Sequence, residues 1–287
     1  MPKKFKKEKK YNYELDKRIT NREFKLLLKP EHLDRHREVE AIKTIVQSVV
    51  ERGGLEFSTS DTMSSGLRNI YFYDTDDESF RRNKLILRIR ESRSDAWTDD
   101  WCEVTMKCRS EDKELAFSRD PQPAGHLPSR LRFKEEILKA GPVGSIRRIF
   151  SHNAILDSVP LEKVYTRTVE DLAVIYPALR EMNLPFEKKI HLVGGKTNKI
   201  LEACVTLGTI AFSPTVHAHC ELAIWFKGVG EPLVGELAFA YKVKKNNRND
   251  KAAHKKADEL FRNLQHMFAQ HLFNGTTKTA LLYGRKE

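Results

Sequence analysis

Five short stretches carry ionisable side chains two residues apart. Glu23 and Lys25 stand in REFKL, Arg88 and Arg90 in LRIRE, and Glu103, Thr105 and Lys107 in CEVTMK. Arg132, Lys134 and Glu136 stand in LRFKEE, and His219 and Glu221 in HCELA. In an extended strand, residues i and i+2 share a face, so each set points to one side. A face of arginine and lysine with a few carboxylates suits phosphate chemistry. Guanidinium and ammonium groups bind phosphate oxygens, while Asp or Glu can hold a Mg²⁺ or Mn²⁺ ion that bridges them. Phosphoryl transfer asks mainly for charge neutralisation and an aligned nucleophile. Any one such strand reads most simply as the wet face of an antiparallel sheet. Repetition is what favours a shared lumen, into which the charged faces converge if the sheet closes into a barrel with helices outside.

The elements that would position these faces follow from periodicity. ITNREFKLLL reads as a strand stopped by Pro30, and residues 31 to 52 as an amphipathic helix. That helix presents Leu33, Val39, Ile42, Val46 and Val49 on one side and ends at Gly53 and Gly54. IYFYDT, KLILRIRES and WCEVTMKCR read as strands, with SRSDAWTDD as a turn. Residues 110 to 128 hold three prolines and read as an excursion loop. LRFKEEIL fits a strand or a helix start, and short helices are expected near residues 143 to 152 and 169 to 183. PFEKKIHLVGG, KILEACVTLGTIAF, HCELAIWFKG and LVGELAFAYKV read as strands. Asp250 is a candidate N-cap for a helix over 251 to 273, whose stripe of Ala257, Leu260, Phe261, Leu264, Met267, Phe268 and Leu272 is a core face. Many strands interrupted by a few helices indicate an α+β domain.

Composition narrows the function classes. With 287 residues, 40% of them hydrophobic, the chain can bury a real core. No apolar run reaches the length of a membrane-spanning helix, and the basic N-terminus lacks the apolar stretch of a signal peptide. Four cysteines without zinc-ligand spacing fit free thiols in a reducing cytoplasm. The net charge of +11 favours a polyanionic partner, although residues 3 to 10 alone supply six lysines against one glutamate. We read residues 1 to 18 as a basic disordered tail and residues 19 to 287 as one domain. Nucleic acid could engage that tail nonspecifically; no motif for sequence-specific binding accompanies it. VGGKT lacks the first glycine of a phosphate-binding loop. His217, His219 and Cys220 have no partner pair at zinc spacing, and Asp74, Asp76 and Asp77 read as a solvated turn.

Read in order, Glu23-x-Lys25, YFYDTDD, LRIRE and TMK resemble the CYTH superfamily, the triphosphate tunnel metalloenzymes. The resemblance is best over residues 19 to 108 and weaker over 129 to 243. It implies a closed antiparallel β-barrel of about eight strands forming a tunnel, with helices packed outside. It also implies metal-dependent hydrolysis of an inorganic or organic triphosphate with Mg²⁺ or Mn²⁺. By the same resemblance Lys25, Arg88, Arg90 and Lys107 bind phosphate, with Arg132, Lys134 and Arg167 as looser members of the lining. Glu23 is the implied metal ligand of the first strand and, with Lys25, part of the catalytic pair. Glu221 is the best match to the late acidic strand, and Glu236 is a second metal candidate.

Two departures bear on the chemistry. Asn21 stands where the family's first glutamate is expected, and the late strand keeps only Glu221 where several acids alternate. Fewer carboxylates mean weaker binding of a divalent metal. Polyphosphate-polymerase domains are distantly similar and also carry one glutamate in the first strand, but their later strand differs from TMK. A polymerase or nucleotidyl-cyclase variant, or a non-catalytic polyphosphate- or nucleotide-binding module, are the alternative expectations.

Overall fold

The computed structural model describes residues 14–33, 36–59, 65–94, 97–125, 128–160, 168–195, 199–227, 230–243, 250–273 and 276–284. The chain opens with strand β1 (Asn21–Leu28), helix α1 (His36–Arg52) and strands β2 (Glu56–Ser58) and β3 (Ser65–Asp74). Helix α2 (Ser79–Arg82), strands β4 (Leu85–Ser94) and β5 (Trp97–Ser110), and helix α3 (Lys113–Ser118) follow. Next come β6 (Ser129–Lys139), β7 (Ile146–Pro160), α4 (Val169–Ile175) and the short β8 (His191–Leu192). Three long strands, β9 (Ile200–Ser213), β10 (Val216–Lys227) and β11 (Pro232–Lys242), precede helices α5 (Asp250–Met267) and α6 (Lys278–Leu282).

The sheet closes on itself. Its order runs β9-β10-β11-β1-β6-β7-β5-β4-β3, and β3 pairs back to β9. The ring therefore has nine strands where about eight were expected, with β2 and β8 as short additions at the rim. Strict antiparallel alternation cannot close over an odd number of strands. The ring resolves this with one parallel pairing, β1 with β6, in which Glu23 lies beside Glu136.

Alternation divides strands such as β1, β4 and β5 into an outer apolar face and an inner charged one. Phe24, Leu26 and Leu28 of β1 pack outward with Leu222 and Ile224 of β10 and Leu237 and Phe239 of β11. Helices α1 and α5 cover that side with Val39, Ile42, Val46 and Val49, and with Ala257, Leu260, Phe261 and Leu264. On the opposite side Leu85, Leu87, Val104 and Met106 meet Val169, Leu172 and Tyr176 of the α4 region. Each covered face buries several large apolar side chains, worth roughly 1.5–3 kcal/mol apiece before entropy is counted. Helix α4 starts with a capping box in which Thr168 and Asp171 each bond the other's backbone N–H.

Several expectations are corrected. Residues 146 to 152 are not helical but open β7, a strand covered on both sides, which hides the alternation by which strands are recognised. β5 starts at Trp97, so WTDD is strand rather than turn. The loop over 110 to 128 contains α3, capped by Asp112. Of PFEKKIHLVGG only His191–Leu192 forms strand, because Pro185 and the left-handed Gly194 and Gly195 keep the rest in turns. Helix α1 begins at His36 after a separate turn at Pro30–His32, and α5 ends at Met267, whose side chain is exposed rather than in the core stripe. Asp74 is not solvated: its buried carboxylate accepts from the N–H groups of Thr75, Phe80 and Arg81 at the start of α2. Of the expected tail, residues 1 to 13 lie outside the described residues, and Leu15 beyond them is buried. All four cysteines are free.

One glycine is fixed by a close approach. A Cβ on Gly208 would lie 2.6 Å from the carbonyl oxygen of Ser58 and 2.8 Å from the Phe57 ring, where β2 crosses β9. Backbone cannot yield as a flexible side-chain tip can. Gly208→Ala is expected to cost about 1–3 kcal/mol, read as a lower thermal midpoint.

Candidate functional site

The inner faces enclose a cavity of about 370 Å³. Glu23, Lys25, Arg88, Arg90, Lys107, Arg132, Lys134, Glu221 and Glu236 all line it. Arg167, the tenth candidate, lies outside the described residues. Eleven lysines and arginines line the cavity against five glutamates, an excess of six positive charges. A wet outer face would scatter such charge into solvent, whereas the closed ring concentrates it.

Glu23 and Glu136 sit side by side on the wall. The Lys25 ammonium lies 2.8 Å from Glu23 and 3.4 Å from Glu136, and Lys134 donates to Glu23 from the next strand. Arg109 reaches Glu136 at 2.8 Å, and the Ser151 hydroxyl donates to its other oxygen at 2.8 Å. Enclosure alone would raise both carboxyl groups, but the neighbouring cations outweigh it. Lys25 and Lys134 hold Glu23 down to about 2, and Arg109, Lys25 and Lys107 hold Glu136 well below the usual range. Burial would lower Lys25, yet Glu136 and Glu23 pull it above its ordinary value. These groups form a fully charged, mutually neutralising set.

Lys107 differs. Enclosed by the wall and ringed by Arg109, Arg88 and Lys25, it makes no hydrogen bond or ion pair among the described residues. Desolvation and those like charges push its ammonium well below the ordinary lysine range, against the pull of Glu136. Arg88 shows the same imbalance. Desolvation and Arg90 push it down to about 9, although Glu103 lies 3.4 Å away and Thr105 accepts at 3.1 Å. Its Nε, and those of Arg90 and Arg109, are enclosed without hydrogen-bond partners. The centre of the tunnel thus holds more positive charge than its own carboxylates satisfy.

Other contributors carry weaker sequence signals. Arg109 lies two residues beyond Lys107, on the same face at the end of WCEVTMKCR, and the alternation that picked out Lys107 applies to it equally. Glu202 is completely buried and receives the Trp225 indole N–H at 2.5 Å and the Arg68 guanidinium. A single acid in an otherwise apolar strand, KILEACV, was its signal. Lys278 comes from a segment without strand periodicity, and nothing in its neighbourhood announces it.

Whether these residues suit a divalent metal depends on their donor atoms. Glu23 is occupied by two lysines, and Glu236 lies 2.9 Å from Lys278. Glu221 stands at the mouth, half-exposed, 3.9 Å from His219. Among the described residues no three of His, Cys, Asp and Glu gather as a metal-binding group. As placed, this donor set does not fit a divalent centre, which needs several oxygen ligands converging on one point. His217 and His219 alternate with the outward, buried Cys220, so those three do not converge either.

No family model matches the chain, and no curated protein matches it. Among solved structures it is similar to HpAC1 from Hippeastrum, an adenylyl cyclase candidate with a dominant triphosphatase activity. That match has a TM-score of 0.45 and 13% identity over 93% of this chain and 97% of the other. The adenylate cyclase candidate bh2851 from Bacillus halodurans gives 0.38 and 11% over 92% and 98%. PH1819 from Pyrococcus horikoshii OT3 gives 0.36 and 12% over 92% and 99%. With these scores below one half, the tunnel stands on its ring of strands and its lining. No helix among the described residues is long and apolar enough to cross a membrane.

Proposed function

We propose that the tunnel binds the triphosphate group of an inorganic or organic triphosphate and supports hydrolysis of its phosphoanhydride bonds. One observation carries this reading: an enclosed excess of six positive charges with the unpaired Lys107 at its centre. Lys25, Arg88, Arg90, Lys107, Arg109, Arg132 and Lys134 would grip successive phosphates. Their charge offsets what develops on the phosphoryl oxygens. Glu23, held near 2 by its lysines, is a weak base, so it would orient rather than deprotonate. Titration calorimetry with inorganic triphosphate, with and without a chelator, tests the binding. Phosphate release with Mg²⁺ or Mn²⁺ tests turnover, and product analysis with ATP separates hydrolysis from cyclase or polymerase chemistry. Binding is expected to survive chelation; no measurable binding under any of these conditions would remove the reading.

A pH effect follows from Lys107. Free, it is pushed well below the ordinary lysine range; against a phosphate its ammonium form is favoured and the pKa rises. Between those two values each binding event draws in a proton, so affinity should fall as pH rises through the free-state pKa and level off below it. Calorimetry in buffers of different ionisation heat measures the uptake. Lys107→Met, titrated alongside, removes the share belonging to the ligand's own ionisation.

A further inference from the structure

Arg109 faces two cavities. Besides lining the tunnel it lines a second cavity of about 670 Å³, whose other cations are Arg81, Lys84 and Arg147. Four cations there meet two carboxylates, Glu111 and Asp112, an excess of two positive charges. Both carboxylates are already taken. Glu111 is held by the Arg147 guanidinium, and Asp112 accepts from the N–H groups of Glu114 and Leu115 at the start of α3. Arg81 lies 2.6 Å from Glu78 and 5.6 Å from the centre of the Tyr283 ring. The Lys84 ammonium, by contrast, makes no hydrogen bond or ion pair among the described residues. Its backbone is strained as well: φ is 63° between α2 and β4, the left-handed region in which glycine is at ease and lysine is not. In that turn its carbonyl accepts the Arg109 N–H at 2.8 Å, so the residue that presents a free ammonium also fixes the neighbouring arginine.

We propose that this cavity is a second anion site, which takes a phosphate headgroup on Lys84, Arg81 and Arg109 and thereby weakens the tunnel's hold on its own ligand. A phosphate dianion would cancel the excess of two charges, and the cavity is roomy enough for a phosphomonoester whose organic group lies on Ile86 and Ile149. Arg109 couples the two sites. Its guanidinium lies 2.8 Å from Glu136, while its Nε is enclosed without a hydrogen-bond partner. An anion in the second cavity attracts that guanidinium and loosens its hold on Glu136. Less compensated, Glu136 draws harder on Lys25 at 3.4 Å and repels phosphates in the tunnel. Two anions thus compete for one cation without touching each other. The effect is reciprocal, and with Arg109 only one of many tunnel cations we expect about fivefold, the low end of typical couplings. Orthophosphate, released by the hydrolysis proposed above, is the simplest ligand of this class.

The second site stands independently of the proposed function, whereas its effect on the tunnel rests on that reading, and the experiment keeps them apart. Equilibrium dialysis of the full-length protein with radiolabelled orthophosphate, beside saturating triphosphate and a chelator, should find one phosphate per wild-type chain. Lys84→Gly removes the ammonium and suits the left-handed backbone, so it should melt no lower than wild type and bind that phosphate about tenfold more weakly. Titration calorimetry with inorganic triphosphate, at constant ionic strength, then reads the coupling. In wild type the triphosphate Kd should rise about fivefold with added orthophosphate and level off as the second site fills. In Lys84→Gly it should stay at its phosphate-free value over the same range. Adenosine monophosphate in place of orthophosphate distinguishes the sources: a plateau reached at lower concentration assigns the apolar wall to an organic group, and one reached at higher concentration assigns the site to the free ion. A Kd that climbs without limit, equally in Lys84→Gly, means competition inside the tunnel and overturns the inference while leaving triphosphate binding intact. So does dialysis that finds no phosphate beside bound triphosphate, or the same phosphate in both proteins. If triphosphate itself fails to bind, the proposed function falls, and dialysis of wild type against Lys84→Gly without it still decides the second site.

Discussion

Replacing Lys107 by methionine is expected to weaken binding of inorganic triphosphate about a hundredfold, roughly 2.7 kcal/mol, while raising the thermal midpoint of the free protein. The two signs share one cause. Lys25 and Lys134 already have carboxylate partners, so a phosphate must compete with Glu23 and Glu136 for them. Lys107 has no such partner, and its full attraction is realised only when an anion arrives. Truncating one member of a desolvated, hydrogen-bonded charge pair costs about 2–5 kcal/mol, which brackets the expected loss. In the free protein the same ammonium is a cost, enclosed among Arg88, Arg109 and Lys25. Methionine keeps the length and removes the charge. Function here is maintained against stability, as is common where a site is built for a ligand. An affinity within threefold of wild type would show that Lys107 does not face the phosphates.

How much of this was legible depends on which faces carry contrast. β1, β4 and β5 set bulky apolar residues against charged ones, so spacing put Glu23 with Lys25, Arg88 with Arg90 and Thr105 with Lys107 on one face of each strand, and those three faces do line one cavity. β7 escaped because both its sides are covered: Asn153 and Ile155 face the tunnel while Ala154 and Leu156 face the outer core. Without a wet side there is no alternation to read. The single parallel pairing was illegible for another reason. It is a closure condition on the whole ring, and no local pattern in LRFKEE encodes which neighbour that strand will take. Lys278 was hidden because its position depends on the ring being closed first. Only then does the inward apolar end exist for Leu281 and Leu282 to fill, carrying the lysine to Glu202 and Glu236.

Glu136→Gln should reverse both signs, destabilising the free protein while tightening the grip on triphosphate. Glu136 is almost fully buried and bridges Lys25 at 3.4 Å and Arg109 at 2.8 Å. Glutamine keeps the shape and can still accept from Ser151, so the change isolates the charge. Removing one partner of a buried pair costs about 3–5 kcal/mol. Tunnel water screens part of this, so the lower end is expected, a fall of roughly 6 °C or more. The wild-type advantage exists where Glu136 is ionised. Because its folded pKa is depressed, the advantage holds above the unfolded value and is lost as pH falls through the folded one. Two cations released from Glu136 then face the ligand, and affinity should rise about tenfold, near 1.4 kcal/mol, shrinking with added salt. Since a ligand stabilises in proportion to ln(1 + [L]/Kd), saturating triphosphate should bring the two melting curves closer, recovering about 1.4 of the roughly 3 kcal/mol lost. Melting with and without ligand, at two salt concentrations, reads all of this at once. A variant that is less stable and also binds more weakly would mean that Glu136 holds the ligand instead of competing with it. The opposite movements of Lys107→Met and Glu136→Gln would make enclosed charge, rather than shape, the quantity that this tunnel holds in reserve for its ligand.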